Sequence, residues 1–263
     1  MTSAASLATD ARPLPDRLDW QAPWYRPLQP LRAAWPGTRA GAVAAALNAR
    51  APAGVPVRFV PQSRLPPEQP YETFIFSTGQ VPTRDNWHDF FNGLIWLRLP
   101  RTKARLNALQ AAEIARRGTG GTRGPLRDAA TLFDENALLL HAPDALWQAL
   151  AAQRWQLLFG PLRPLWRHAR MLVFGHSALE KLLAPYKSIC VHVWRVAPAF
   201  DPAGDLRALD AWLVADLTPG KLAAKPFAPL PVLGIPGWWP ANADAAFYKD
   251  PHVFRARRRP PGA

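Results

Sequence analysis

The clearest periodicity of hydrophobic and polar positions lies between residues 83 and 117. A helix that begins near Asp85 places four polar side chains on one stripe, because positions three, four and seven residues apart share a helix face. These side chains are Asp85, His88, Asp89 and Asn92. The second half of this helix is apolar nearly all round, which is typical of a buried helix. We therefore expect the stripe to open into a pocket, with a solvated polar face as the alternative.

A second helix should follow at once. Leu99 precedes Pro100, which disfavours helical geometry at Leu99, and Pro100 suits the first turn of a new helix that runs to about Arg117. Its polar stripe contains Lys103, Asn107 and Gln110. The short connection predicts an αα-hairpin. If the two stripes face each other, their side chains share one site.

Shorter patterns predict the remaining elements. We expect helices at 40–50, 144–155 and 206–217 and from His176 onwards. Strands are expected at 55–60, 171–174 and 188–196, with a short strand or extended segment at 71–77. Runs 130–133 and 137–141 flank the polar residues 134–136, which indicates a β-hairpin. The fold class is therefore α+β, a helix-rich single domain with a small sheet of short strands and the central αα-hairpin. We expect a globular domain over 20–254, a disordered segment over 1–19 and a disordered basic tail over 255–263.

The formal charge of +13 invites a nucleic-acid interpretation, in which Arg163, Arg167, His168 and Arg170 act with the basic tail. Lysine occurs only six times, so 26 of the 32 basic residues are arginines. With 30 prolines, this skew also fits a compositional bias with no functional meaning.

The single cysteine, Cys190, lies in an apolar run and excludes an intramolecular disulfide or a cluster of thiolates. We expect it to be buried. The amino terminus lacks the apolar segment of a secretory signal, and no run of about 18 apolar residues predicts a membrane span. A cytoplasmic protein without membrane contact is the expectation.

Candidate chemistry is limited to a few polar groups. His176 and Glu180 are four residues apart on one helix face and suit a divalent metal, although helix capping and surface pairing explain them equally well. Asp134 and Glu135 are also carboxylates suited to a metal or to acid–base work, but turn chemistry accounts for them too. The glycine-rich segment 118–125 lacks the features of a phosphate-binding loop.

Several segments together resemble a known family. They are 83–92, 133–136, 174–176 with 179–181, and 231–239 with Phe247 and Tyr248. In this order they are similar to a bacterial family of domains of unknown function, whose members have about this length, and the resemblance covers roughly Leu18 to Arg257. Leu99 and Ala137 depart from the family's pattern. The resemblance implies no established activity, cofactor or catalytic residue.

We expect a hydrolase-type enzyme whose pocket performs acid–base or metal-assisted chemistry. The expected catalytic residues are His88, Asp89, Asn92, His176 and Glu180, with Asp134 and Glu135 as further candidates. His88, Asp89, His176 and Glu180 are the candidate ligands of a divalent metal. An anionic small molecule would be held by Arg84, Arg101, Lys103 and Asn107. A basic nucleic-acid-binding module and a non-catalytic scaffold are the alternatives.

Overall fold

The computed structural model describes residues 18–34, 42–118 and 124–256. The predicted disordered segment and basic tail lie almost wholly outside these ranges, as does most of the glycine-rich segment. Within them the chain folds as a helix-rich α+β domain, which confirms the predicted fold class.

The α-helices cover much of the described chain. They are α1 (Ala42–Ala49), α2 (Tyr71–Thr78), α3 (Trp87–Arg98), α4 (Pro100–Arg117), α5 (Pro125–Asn136), α6 (Asp144–Ala151), α7 (Trp155–Phe159), α8 (His176–Lys181), α9 (Leu206–Asp216) and α10 (Pro219–Ala223). The strands are β1 (Arg58–Pro61), β2 (Gln80–Thr83), β3 (Ala137–His141), β4 (Arg170–Val173), β5 (Cys190–Arg195) and β6 (Ala228–Pro231). Short 3-10 helices occupy Arg26–Ala34, Gln62–Arg64, Arg163–His168, Val232–Gly234, Pro240–Ala243 and Ala245–Lys249.

A four-stranded sheet in the order β4-β3-β5-β6 forms the apolar centre. Its central pair β3 and β5 is parallel, whereas β4 and β6 flank it in antiparallel orientation. Leu139 pairs with Leu172 on one side and Trp194 on the other. The ring of Phe133 from α5 packs on Trp194 with 5.2 Å between centroids, so α5 lies against the sheet. A separate two-stranded parallel sheet joins β1 and β2.

The predicted αα-hairpin is present as α3 and α4. Asn86 caps α3 by accepting a hydrogen bond from the backbone N–H of Asp89 at 2.8 Å. α3 ends at Arg98, and Pro100 opens α4. The carboxylate of Asp210 caps α4 by accepting hydrogen bonds from the backbone N–H groups of Arg101 and Thr102. α3 is buried over most of its length, as its all-round apolar second half predicted.

Three predicted elements are wrong. The expected strand at 71–77 is α2, because its Phe74 and Ile75 turn inward and it packs beside α4 rather than in a sheet. The expected hairpin around residues 134–136 is the carboxyl end of α5 followed directly by β3. The helix expected over 144–155 ends at Ala151, and Gln153 adopts a left-handed conformation with φ of 53° before α7 begins.

Cys190 begins β5 and is exposed, which contradicts its predicted burial. The strand starts at the edge of the core, and its apolar positions Val191 and Val193 face inward instead. None of the described helices is long and apolar enough to cross a membrane.

Candidate functional site

A cavity of about 340 Å³ lies between the αα-hairpin, α2, the end of α5 and the start of α8. This volume is within the range of small-molecule sites. Its polar lining consists of Gln62, Tyr71, Glu72, Arg84, His88, Asp89, Asn92, Lys103, Asn107, Gln110, Asp134, Glu135 and His176. The second predicted stripe and three of the four residues of the first therefore face one space. Asp85 does not line it, because it precedes α3 and its carboxylate accepts a hydrogen bond from the backbone N–H of Val43 at 3.1 Å.

Two histidines and one glutamate converge at this cavity. The Nε2 atoms of His88 and His176 are 3.1 Å apart, and Oε2 of Glu135 is 3.4 Å from Nε2 of His176. Donor atoms of the three residues all lie within 4.8 Å of one another. Two nitrogen ligands at about 2.1 Å from one metal, at angles of 90–109°, are separated by about 3.0–3.4 Å. The histidine spacing therefore suits two ligands of one ion.

Gly175 allows this convergence. A Cβ atom at this position would lie 2.5 Å from the backbone of Asn136 and 2.5 Å from the carbonyl oxygen of Glu135. Only glycine lets the turn between β4 and α8 approach the end of α5 this closely. His176 follows as the first residue of α8, and this approach brings it beside Glu135.

Carboxylates face the other nitrogen of each imidazole. Oε2 of Glu180, one turn further along α8, is 3.0 Å from Nδ1 of His88. Oδ2 of Asp134 is 3.9 Å from Nδ1 of His176, which has no hydrogen-bond partner among the described residues. A carboxylate that accepts a hydrogen bond from a histidine, as Glu180 does from His88, fixes the orientation and tautomer of the ring, as in many metal sites.

The environment sets different proton affinities for the two histidines. Burial lowers the pKa of His176 to about 3, because the attraction of Asp134 is too weak to compensate. Burial also disfavours the charged form of His88, but its hydrogen bond to Glu180 and the charges of the nearby carboxylates outweigh that effect and raise the pKa of His88. His176 is therefore neutral at neutral pH, which is the form that binds a metal or accepts a proton.

The two acidic residues at the end of α5, Asp134 and Glu135, also differ in the direction of their pKa shifts. Burial and the charge of Asp134 raise the pKa of Glu135. Burial acts in the same direction on Asp134, but the charge and the hydrogen bond of Lys103 outweigh it and lower the pKa of Asp134. The Lys103 ammonium donates a hydrogen bond to Oδ1 of Asp134 and lies 5.5 Å from the ring centroid of Trp96. Two adjacent carboxyl groups thus differ in proton affinity, as acid–base sites require.

Hydrogen bonds tie the rest of the lining together. Asp89 accepts three hydrogen bonds from Arg84, from its backbone N–H at 2.6 Å, Nε at 3.1 Å and Nη2 at 2.9 Å. Asn92 donates to the hydroxyl of Tyr71 at 3.2 Å, while its own Oδ1 has no partner among the described residues. Asn107 donates to the carbonyl oxygen of Glu72 at 2.8 Å and so fastens α2 to α4.

The candidates named from the sequence occupy different places. His88 and His176 come together, and Glu135, named only as a further candidate, completes the donor cluster. Glu180 lies behind His88 and Asp89 is held by Arg84, so neither belongs to that cluster. Arg101 does not line the cavity, and its backbone N–H bonds to Asp210.

The arginines proposed for nucleic-acid binding are partly used within the fold. Arg163 donates to the hydroxyl of Tyr248 at 2.8 Å and lies near its ring. Arg170 donates to the backbone carbonyls of Arg167 and Ala169 at 3.0 Å. These contacts stabilise the region around the 3-10 helix Arg163–His168.

The sequence analysis did not identify Tyr71 as a site residue, and it named Glu135 only as a further candidate. Tyr71 was placed on a strand, and its hydroxyl reaches the cavity only because 71–78 is helical. Glu135 was assigned to a turn. A proline after Gly124 and apolar residues at 126, 130 and 133 were the signal for a helix that ends near residue 136.

Comparison with known proteins identifies a family, but the function of that family is unknown. A family model described as "Protein of unknown function (DUF3025)" matches residues 57–258, a range that contains every residue lining the cavity. Neither a curated protein nor a solved structure matches the chain.

Proposed function

Because this chain belongs to the DUF3025 family, whose function is unknown, we propose its function from the site alone: it is a metal-dependent enzyme of the hydrolase type. His88, His176 and Glu135 would hold one divalent transition metal. The observation that carries this proposal is the convergence of their three donor atoms within 4.8 Å at the wall of a cavity of about 340 Å³.

The donor set favours an open metal site. Two imidazoles and one carboxylate suit zinc or ferrous iron, and three protein ligands leave positions for water and substrate. A metal held in this way lowers the pKa of a bound water and supplies a nucleophile at neutral pH. The neutral form of His176, favoured by its burial, is the form such a site requires.

The surrounding groups support the donors. Glu180 would orient His88 so that its Nε2 faces the ion, since its carboxylate lies 3.0 Å from Nδ1. Lys103 keeps Asp134 ionised behind His176. Asp89 would act indirectly, because its carboxylate is fully engaged with Arg84 and positions that side chain at the cavity.

Metal reconstitution followed by activity screening tests this proposal. Chelator-treated protein is incubated with zinc, manganese or ferrous iron, dialysed and analysed for metal, and then screened for hydrolysis of ester, amide and phosphoester substrates. One tightly bound ion per chain that activates hydrolysis is the expected result. Glu135→Gln and His176→Ala should lose both the ion and the activity, whereas Glu113→Gln and His168→Ala serve as matched controls away from the cavity.

Two outcomes would overturn the proposal. One is the absence of stoichiometric metal in wild-type protein at saturating concentrations. The other is undiminished metal and activity in both Glu135→Gln and His176→Ala.

A further inference from the structure

Among the described residues, two permanent cations line the cavity, and each is paired with a carboxylate. The Arg84 guanidinium donates two hydrogen bonds to the Asp89 carboxylate, and the Lys103 ammonium is bound to Asp134 and lies over Trp96. The Lys103 side chain is only 5% exposed, so this ion pair is shielded from solvent. Lys103 is therefore not free to receive a charged group of a substrate, and the more exposed Arg84 already has a carboxylate partner.

The lining also carries more negative than positive charge. Four carboxylates, from Glu72, Asp89, Asp134 and Glu135, face two cations, from Arg84 and Lys103. One divalent ion would bring this balance close to zero. An anionic substrate would then meet several carboxylates at short range without an unpaired cation, which is unfavourable in a partly desolvated site.

Uncharged polar groups, by contrast, have unused bonding capacity. Oδ1 of Asn92 is buried without a partner among the described residues. Gln110 is only 7% exposed and lines the cavity, and its amide makes no hydrogen bond to another described side chain, so this amide is available to a ligand. Asn107 uses one amide hydrogen on the carbonyl of Glu72. Buried donors and acceptors that lack partners are costly, so a ligand that supplies them gains affinity and selectivity.

We infer that the substrate is an uncharged small molecule rich in carboxamide or hydroxyl groups, which Asn92, Asn107 and Gln110 recognise by hydrogen bonds. This inference rests on the proposed function, because the substrate would reach the metal from this wall of the cavity. It replaces the anionic substrate that the arginines and lysine suggested from the sequence alone.

Paired probes test the inference. Succinamide is compared with succinate, and glycerol with glycerol phosphate, by ligand-observed NMR on zinc-loaded protein and on chelator-treated protein. We expect the neutral member of at least one pair to bind in both preparations, with succinamide and glycerol separating amide from hydroxyl recognition. Gln110→Leu, which retains a similar volume, should weaken that binding at least tenfold, as should Asn92→Leu. Zinc stoichiometry should stay unchanged in Gln110→Leu.

Carboxylates and phosphates can also bind zinc directly. The comparison of neutral with anionic probes is therefore made on the chelator-treated protein, which holds no zinc. Tighter binding of an anionic probe there, lost in Arg84→Gln, would overturn the inference. Wild-type affinity for the neutral probe in Gln110→Leu would overturn it as well. A protein that binds neutral probes through Gln110 but takes up no zinc would leave the recognition intact and contradict the metal proposal alone.

Discussion

Two cavities of nearly equal size differ sharply in their polar groups. The site cavity measures about 340 Å³, and a second one of about 330 Å³ lies beside α6, β5 and α9. The second cavity is lined by Trp147, Trp194 and Trp212 with Arg195 and Lys221 at its edge. There the Lys221 ammonium sits 4.8 Å from the Trp194 ring centroid and the Arg195 guanidinium 5.4 Å from that of Trp147.

The charged side chains of the second cavity and the Trp194 indole all have partners. Trp194 donates to Asp216 at 2.9 Å, and Lys221 donates to both oxygens of the same carboxylate at 2.6 Å. Among the described residues, none that lines it has a buried polar atom without a partner, whereas Asn92 and His176 in the site cavity each have one. Unsatisfied buried polar groups therefore distinguish the two cavities where volume does not.

The largest expected contrast is in stability. Lys103→Met leaves Asp134 buried without its cation and should lower the free energy of unfolding by about 3–5 kcal/mol. Lys221→Met, which breaks a more exposed pair beside the second cavity, should cost only about 0–1 kcal/mol. Urea denaturation measures both. Equal losses of stability in the two variants would contradict the predicted difference between the two ion pairs. As a control, the double variant Lys103→Met with Asp134→Leu should recover much of the stability.

We expect part of the loss of folding stability at low pH to come from His176 in the site cavity. The pKa of His176 in the folded state is about 3, so between that value and 6.5 the unfolded chain binds more protons. Stability of metal-free protein must therefore fall as pH falls, by roughly 2–3 kcal/mol between pH 6 and pH 4. The raised pKa of His88 acts differently, since its contribution is complete below 6.5 and is lost only as pH rises.

The measurement is urea denaturation of wild type and His176→Gln across this range. The variant should lose less stability on acidification, and the difference isolates His176 from the surface carboxylates. An identical decline in both proteins would contradict the predicted shift.

Two glycines offer a matched pair near the two cavities. Gly175→Ala places a Cβ atom 2.5 Å from the backbone of α5 and should cost about 1–3 kcal/mol by forcing α8 away. At Gly220 in α10 a Cβ atom meets nothing within 4 Å, so Gly220→Ala should be neutral or stabilise by about 0.5–1 kcal/mol. Thermal denaturation gives both values. Gly175→Ala should in addition weaken zinc binding, and unchanged zinc affinity would show that the approach of α8 to α5 does not set the donor geometry.

The smallest expected effect concerns the carboxylate behind His88. Glu180→Gln removes a charge but not the side chain, and it should weaken zinc binding by about 10–100-fold. Glu113→Gln, a change of the same kind on α4, should leave zinc affinity unaltered. Competition with a chromophoric chelator measures both. A loss as complete as that of Glu135→Gln would mean that Glu180 binds the ion directly.

Much of the fold could be predicted from local pattern. The αα-hairpin follows from helical periodicity and from proline at position 100, both of which act within a few residues. α2 could not be read in the same way, since its Thr73 and Phe74 to Phe76 favour a strand and only packing beside α4 makes it helical. Burial by distant segments overrode local preference there.

The site was predictable only in part for a related reason. His88 and His176 stood out because polar groups in apolar surroundings are visible in a sequence. The membership of Glu135, rather than Glu180 or Asp89, depends on how α5 ends against Gly175, a contact between residues 40 apart along the chain. The pairing of Arg84 with Asp89 and of Lys103 with Asp134 likewise depends on the three-dimensional arrangement, and our proposal of an uncharged substrate rests on it.

The most direct test of the account is anomalous diffraction from crystals of the zinc-loaded protein. The account predicts a peak about 2.0–2.2 Å from Nε2 of His88, Nε2 of His176 and a carboxylate oxygen of Glu135, with no such peak at the second cavity. A peak bound only by exposed residues such as His168 or His252, or no peak at saturating zinc, would contradict it.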